Sequence, residues 1–114
     1  MALRLTHDLC ASLYDALRKA DPWKGMKLPP SHKVRFKIVN NPEVYADFCV
    51  ERGVPVIRVS RARNGQLITL MATLGHEAKH LHQWQTGDRE AHGPRFKAFA
   101  KRAAASIGVD PLTF

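Results

Sequence analysis

The sequence predicts an α+β domain: one helix, three short strands, then two more helices. Three observations carry this. Apolar residues recur at three- and four-residue steps in three stretches, near 6–20, 66–86 and 94–107. Between the first and second of these, apolar and polar residues alternate in three short runs. Proline, glycine and asparagine punctuate the gaps.

Leu5, Leu9, Leu13, Ala16 and Leu17 mark a first helix from about Thr6 to Ala20, stopped by Asp21-Pro22. Pro22, Gly25, Pro29 and Pro30 make 21–32 a loop. Val34, Phe36 and Ile38 alternate with Arg35 and Lys37, the pattern of a half-buried strand. Asn40-Asn41-Pro42 is a turn, after which Val44, Ala46, Phe48 and Val50 alternate again. Arg52-Gly53 is a tight turn into a third strand, Val54 to Val59. Consecutive strands joined by short turns imply a three-stranded, largely antiparallel sheet.

Asn64-Gly65 then introduces a helix from Gln66 to Thr86. Leu67, Leu70, Met71, Leu74, Ala78 and Leu81 form its apolar stripe, and Gly87 suits the position after its end. Pro94 suits the first position of a closing helix. Phe96, Phe99, Ala100, Ala103 and Ile107 are its stripe, and Gly108 ends it.

A chain of 114 residues supports one core, so a single domain over 1–114 is expected. No stretch approaches the ~20 apolar residues of a membrane span. Residues 1–10 carry Arg4, His7 and Asp8 among leucines and lack the apolar run of a signal peptide. Cys10 and Cys49 do not make a disulfide framework and are expected to be reduced thiols. These features together predict a cytoplasmic protein without membrane contact; they do not fix the oligomeric state, for which a monomer is the simplest expectation.

The net charge is +8. A basic patch would attract phosphates or acidic proteins, although positive charge spread evenly is only a solvated surface. Arg58, Arg61 and Arg63 lead into the second helix, while the remaining cations are dispersed. Lys101 and Arg102 also complement the C-terminal dipole end of the closing helix. The chain has no nucleic-acid-binding motif, internal repeat or low-complexity tract.

The chemistry concentrates in His76-Glu77-Ala78-Lys79-His80. On a helix, residues i and i+4 lie one above the other on one face, so His76 and His80 can share one Zn²⁺. Glu77 lies beside them, where it can accept a proton from a metal-activated water. Catalytic zinc takes three protein ligands and keeps one position open. After Gly87-Asp88 turns the chain back, His92 stands just before Pro94, pinned between two helices, and is the candidate third ligand. His76, Glu77, His80 and Trp84 fall away from the centre of the apolar stripe and so face a cleft.

Other residues are set aside or left open. His82 follows His80 by two residues and points roughly 160–200° around the helix, so it cannot join the same ion. His7 and His32 have no partner in sequence and are expected to be structural or exposed. Trp84 either walls the cleft or packs on the neighbouring helix. Tyr14 and Tyr45 are the only phenols, and either could stabilise an oxyanion.

Gly75-His76-Glu77-Ala78-Lys79-His80, followed by Asp88-Arg89-Glu90-Ala91-His92-Gly93-Pro94-Arg95-Phe96-Lys97, resembles the SprT-like zinc metallopeptidase family, which includes the Spartan proteases. That family carries H-E-x-x-H on a helix and a third histidine in an H-G-x-x-aromatic motif opening the next helix. The likeness covers roughly 64–107. It implies a minimal zincin-like fold, with zinc on His76, His80 and His92 and Glu77 as general base. In Spartan-type members it also implies cleavage of proteins attached to DNA. Many longer members carry a C-terminal zinc ribbon built from cysteines, and two cysteines cannot supply one.

The expected function is therefore a zinc-dependent endopeptidase acting on protein substrates, including DNA-bound or DNA-crosslinked ones. DNA would be held without base specificity, through phosphates, which would associate the protein with the nucleoid. Substrate pairing along a sheet edge would make cleavage indifferent to side chains. The alternative is a non-catalytic basic nucleic-acid-binding module with a structural zinc, against which Glu77 argues, since such a site has no use for a carboxylate. A zinc hydrolase of cell-wall peptides is a third reading, disfavoured by the missing export signal unless a phage lysis route releases the protein.

Overall fold

In the computed structural model, which describes residues 3–111 and 114, Thr6 opens the first helix, α1 (His7–Arg18). Met1, Ala2, Leu112 and Thr113, near the ends of the domain expected over 1–114, lie outside the described residues. The Thr6 hydroxyl accepts the Leu9 N–H at 3.1 Å, satisfying one otherwise unpaired helix-start donor. Cys10, Tyr14 and Leu17 form the buried face of α1. Leu5 is buried just ahead of it. The loop that follows contains two short 3-10 turns, Trp23–Met26 and Ser31–Lys33. Asp15 fastens the second turn, accepting the Ser31 N–H at 3.0 Å and the Ser31 hydroxyl.

Three strands follow: β1 (Arg35–Val39), β2 (Ala46–Glu51) and β3 (Val54–Ser60). Arg52 and Gly53 both adopt positive φ between β2 and β3. That is the backbone a two-residue hairpin turn needs to match strand twist. The sheet is mixed rather than largely antiparallel. β3 lies in the centre, antiparallel to β2 but parallel to β1, with Arg35 opposite Val56 and Ala46 opposite Val59.

The correction has a physical source in β3. Val56, Ile57 and Val59 are fully buried on alternating sides of the strand, so it needs a partner on each edge and cover on each face. The segment 40–45 therefore arches over the end of β3 instead of folding back beside β1. The Ser60 N–H donates to Tyr45 O at 2.9 Å, and the Arg61 N–H donates to Val39 O at 2.8 Å. Val44, expected in the second strand, belongs to this arch and is exposed.

On one face of the sheet, Lys37 reaches Glu51 across β3 at 2.8 Å. Arg58 holds Asp47 with two bonds, at 2.6 and 2.9 Å. The other face carries the core: Phe36, Ile57 and Val59 meet Tyr14, Trp23, Leu70, Leu74, Leu81 and Phe99. α2 (Leu67–Thr86) packs on α1, β2 and β3, and α3 (Pro94–Ile107) packs on α2. Leu70, Leu74, Ala78 and Leu81 are fully buried as expected, whereas Leu67, in the first turn of α2, is exposed. Gly87 and Gly108 terminate the two helices in the left-handed region that glycine adopts without steric cost.

Asn64 does more than turn the chain. It is buried, and its amide donates to Tyr45 O at 2.9 Å and Ser60 O at 2.8 Å. Its oxygen accepts the Thr73 hydroxyl at 2.7 Å. This one side chain joins the arch, the end of β3 and the first half of α2. Among the described residues, no helix is long and apolar enough to cross a membrane. Cys10 and Cys49 are both free thiols, as expected.

Candidate metal centre and cleft

Helical geometry sets the first two candidate ligands. His76 and His80 stand one turn apart on α2, and their Nε2 atoms are 3.1 Å apart. The chain turns at Gly87, and the start of α3 returns His92 to the same place, with its Nε2 3.4 Å from that of His76. One ligand atom from each of the three histidines lies within 4.8 Å of the others. Zn–N bonds of about 2.0–2.1 Å in a tetrahedron put neighbouring nitrogens about 3.3 Å apart. The three histidines are thus close enough to bind one metal ion.

The hydrogen bonds on the far side of each ring support this. His76 Nδ1 bonds the Phe114 main-chain oxygen at 2.8 Å, and His80 Nδ1 bonds Gln83 Oε1 at 2.8 Å. Both oxygens only accept, so each Nδ1 carries the proton and each Nε2 presents a lone pair. Two lone pairs facing each other at 3.1 Å repel unless a cation lies between them. Such carbonyl partners are the usual supports of metal-binding imidazoles. Phe96 stacks on His80 at 5.0 Å and packs against His76 and His92, fixing the rings sideways.

Burial pushes the His76 pKa down to about 4, against the opposing effect of the Phe114 bond. Burial also lowers that of His80. Both rings are therefore neutral at pH 7, the form a metal requires. Glu77 is almost fully buried at 5% exposure, and burial, with Asp47 adding to it, raises its pKa to about 8. Without a cation nearby the carboxyl is therefore mostly protonated at pH 7, and a cation on the neighbouring histidines would favour the carboxylate form that accepts a proton.

The cleft runs to both sides of His76 and Glu77. One arm, of about 340 Å³, lies between Tyr45 of the arch and Ala46 of β2, Ile68 and Ala72 of α2, and Val109 and Phe114 beyond α3. The other, of about 460 Å³, is bounded by Asp47 and Phe48 of β2, Trp84, and the loop bearing His92. β2 is an edge strand, and its Ala46, Asp47 and Phe48 line the cleft.

The structure brings together His76, Glu77, His80 and His92 as the sequence suggested. It leaves His82 out, 3.2 Å from the Lys79 ammonium. His7 and His32 are exposed. Trp84 walls the cleft, tilted against Phe48 at 6.3 Å. Tyr45 lines the first arm, whereas Tyr14 is buried in the core and donates to Pro29 O at 2.6 Å. Arg58 is paired with Asp47, and Arg63 donates to Pro42 O at 2.6 Å and lies over Tyr45.

Three supports were missed in the sequence. Gln83 stands three residues beyond His80, hence on its face of the helix, and that spacing was a usable signal. The Phe114 carbonyl carried no signal at all. The third is Trp23, whose buried indole N–H donates to Gly75 O at 3.0 Å just before the first ligand.

Fold and site together define an α+β protein with three histidines, close enough to bind a metal ion, clustered where two helices meet. No protein-family model matches the chain, and no curated protein matches it.

Proposed function

We propose that this protein is a zinc-dependent endopeptidase of the SprT-like, zincin type. The observation that carries the reading is the convergence of three imidazole Nε2 atoms in a cleft that Glu77 lines. His76, His80 and His92 would hold the zinc. Bound there, zinc would supply a Lewis acid that activates water and polarises a peptide carbonyl.

The chain's own residues do the rest. Phe114 O and Gln83 Oε1 keep the His76 and His80 protons on Nδ1 and leave Nε2 free for the metal. Glu77 takes up a proton at its carboxylate and returns it to the leaving amine. An extended substrate pairs with the open edge of β2, its residues on either side of the cut bond lying in the two arms of the cleft. Main-chain pairing is blind to side chains, which suits proteins of varied sequence.

The +8 charge extends the proposal to protein substrates bound or crosslinked to DNA. The competing reading, a basic binding module with structural zinc, leaves a buried carboxyl beside the ligands without a role. Structural zinc also takes four protein ligands, and three histidines converge here among the described residues.

Zinc-loaded parent and Glu77→Gln protein, incubated with a basic protein substrate with and without single-stranded DNA, test the proposal. The parent should cleave, and the variant should retain zinc but cleave slower by orders of magnitude. Equal rates would remove Glu77 as the base. A zinc-loaded parent that cleaves nothing in either condition would favour the binding module.

A further inference from the structure

We propose that Gln83 is a positioning residue. It clasps the helical histidine pair to the loop that carries the third histidine, so one amide sets both the tautomer of His80 and the place of His92. Gln83 is 4% exposed. Its Oε1 accepts the His80 Nδ1–H at 2.8 Å. The two N–H groups of its Nε2 are shared among Glu90 O at 3.1 Å, Ala91 O at 3.2 Å and Asp88 Oδ2 at 3.3 Å. Three acceptors around the nitrogen and one ring N–H at the oxygen leave the amide a single sensible orientation.

The main chain of the same residue works alongside. Gln83 O accepts the N–H groups of Gly87 and Asp88, closing the end of α2. Among the described residues, the hydrogen bonds joining loop 88–91 to α2 all run to Gln83. The loop's remaining ties are internal: Glu90 N–H to Asp88 Oδ1 at 3.1 Å and Gly93 N–H to Glu90 O at 3.1 Å. His92 is exposed, so packing alone does not fix it. The clasp therefore supplies the order that a third ligand on a loop would otherwise have to gain when metal binds, at a cost in affinity.

The clasp serves catalysis only if the triad holds zinc as proposed above, so its test separates the two. Gln83→Leu removes both arms of the clasp. Gln83→Glu keeps an acceptor for His80 but offers no N–H to the loop and sets a carboxylate beside Asp88. In metal-free protein, nitrogen NMR should show His80 keeping its Nδ1–H form in the parent and in Gln83→Glu and losing it in Gln83→Leu. Backbone relaxation should show loop 88–92 loosened in both variants. Zinc affinity, from competition with a chromophoric chelator, should fall about 10–100-fold in both.

Unchanged loop order and zinc affinity within twofold of the parent, in either variant that gives a native amide spectrum, would overturn the proposal. If Gln83→Leu fails to fold, Gln83→Glu decides. If the parent itself binds no zinc, the metal reading falls, while tautomer and loop order still decide the clasp.

Discussion

Replacing Gly75 by alanine should destabilise this protein, although the same change in the middle of an ordinary helix stabilises it. Gly75 is buried within α2, one residue before His76. A Cβ there would come 2.5 Å from Trp23 Cζ2, 3.2 Å from Cε2 and 3.3 Å from Cη2. The ring cannot swing aside. Trp23 is fully buried, packs edge-on against Phe99 at 5.6 Å, and is held by its N–H bond to Gly75 O. Helix propensity favours alanine by about 1 kcal/mol. Overpacking a rigid core costs about 1–3 kcal/mol. Disturbing the indole bond costs about 1 kcal/mol more, or up to ~3 if the N–H is stranded. The losses win, for a net destabilisation of about 1–3 kcal/mol, or up to ~5 if the N–H is stranded. At about 4 °C per kcal/mol for a domain this size, the Tm should fall by roughly 4–12 °C. Urea unfolding of metal-free protein would read this as a lower midpoint at unchanged slope. An alanine variant as stable as the parent would refute the close approach of Trp23 to α2.

Removing the proposed third ligand with His92→Ala should weaken zinc binding at least tenfold in a chelator competition, whereas His82→Ala should leave it unchanged. The acidity of Glu77 gives metal-free protein a pH signature. Its folded pKa of about 8 lies above the ordinary 4.5, so its contribution is fully present below pH 4.5 and is lost as pH rises through 8. The stability of Glu77→Gln relative to the parent should therefore climb over that window, by up to about 1.4 kcal/mol per pH unit, and urea titrations showing no trend would contradict the burial of the carboxyl. His76 acts in the opposite sense, its contribution disappearing as pH falls from 6.5 through about 4. If the positive charge serves DNA, affinity for labelled single- or double-stranded DNA should fall linearly in log–log with salt and show little sequence preference. No binding at low salt, with cleavage unaffected by DNA, would leave a stand-alone peptidase.

The helices were legible because local rules decide them. Thr6, Pro94, Gly87 and Gly108 mark their ends, and the buried stripes follow the apolar period. The clustering of the three histidines was legible for the same reason: two of them share one helix face, and the third follows after one turn of chain. Sheet order was not legible, because the alternation in β1 and β2 says which side of a strand is apolar but not which strand is its neighbour. Only the apolar density of Val56, Ile57 and Val59 hinted that β3 belongs in the middle. The supports of the site were hidden for a different reason. Gln83 and Asn64 look like ordinary polar residues, and their importance comes from burial that only the assembled fold creates.

The central position of β3 also orders the assembly of the chain in time. β2 and β3 are joined through Arg52 and Gly53, so their hairpin closes cheaply, on a microsecond scale. β1 reaches the far edge of β3 only across the intervening 40–53, so its pairing, with Arg35 opposite Val56, is expected to follow the hairpin. The arch 40–45 is then locked by Asn64, which also bonds Thr73 of α2. Mutational folding kinetics should accordingly find Val59→Ala slowing folding and Phe36→Ala mainly speeding unfolding, and the reverse pattern would defeat this order. The helix that presents His76 would settle onto the sheet only after its three strands are in place. On the peptidase reading proposed above, a newly made chain would then complete its site last, when little of its own backbone is still extended enough to be cut.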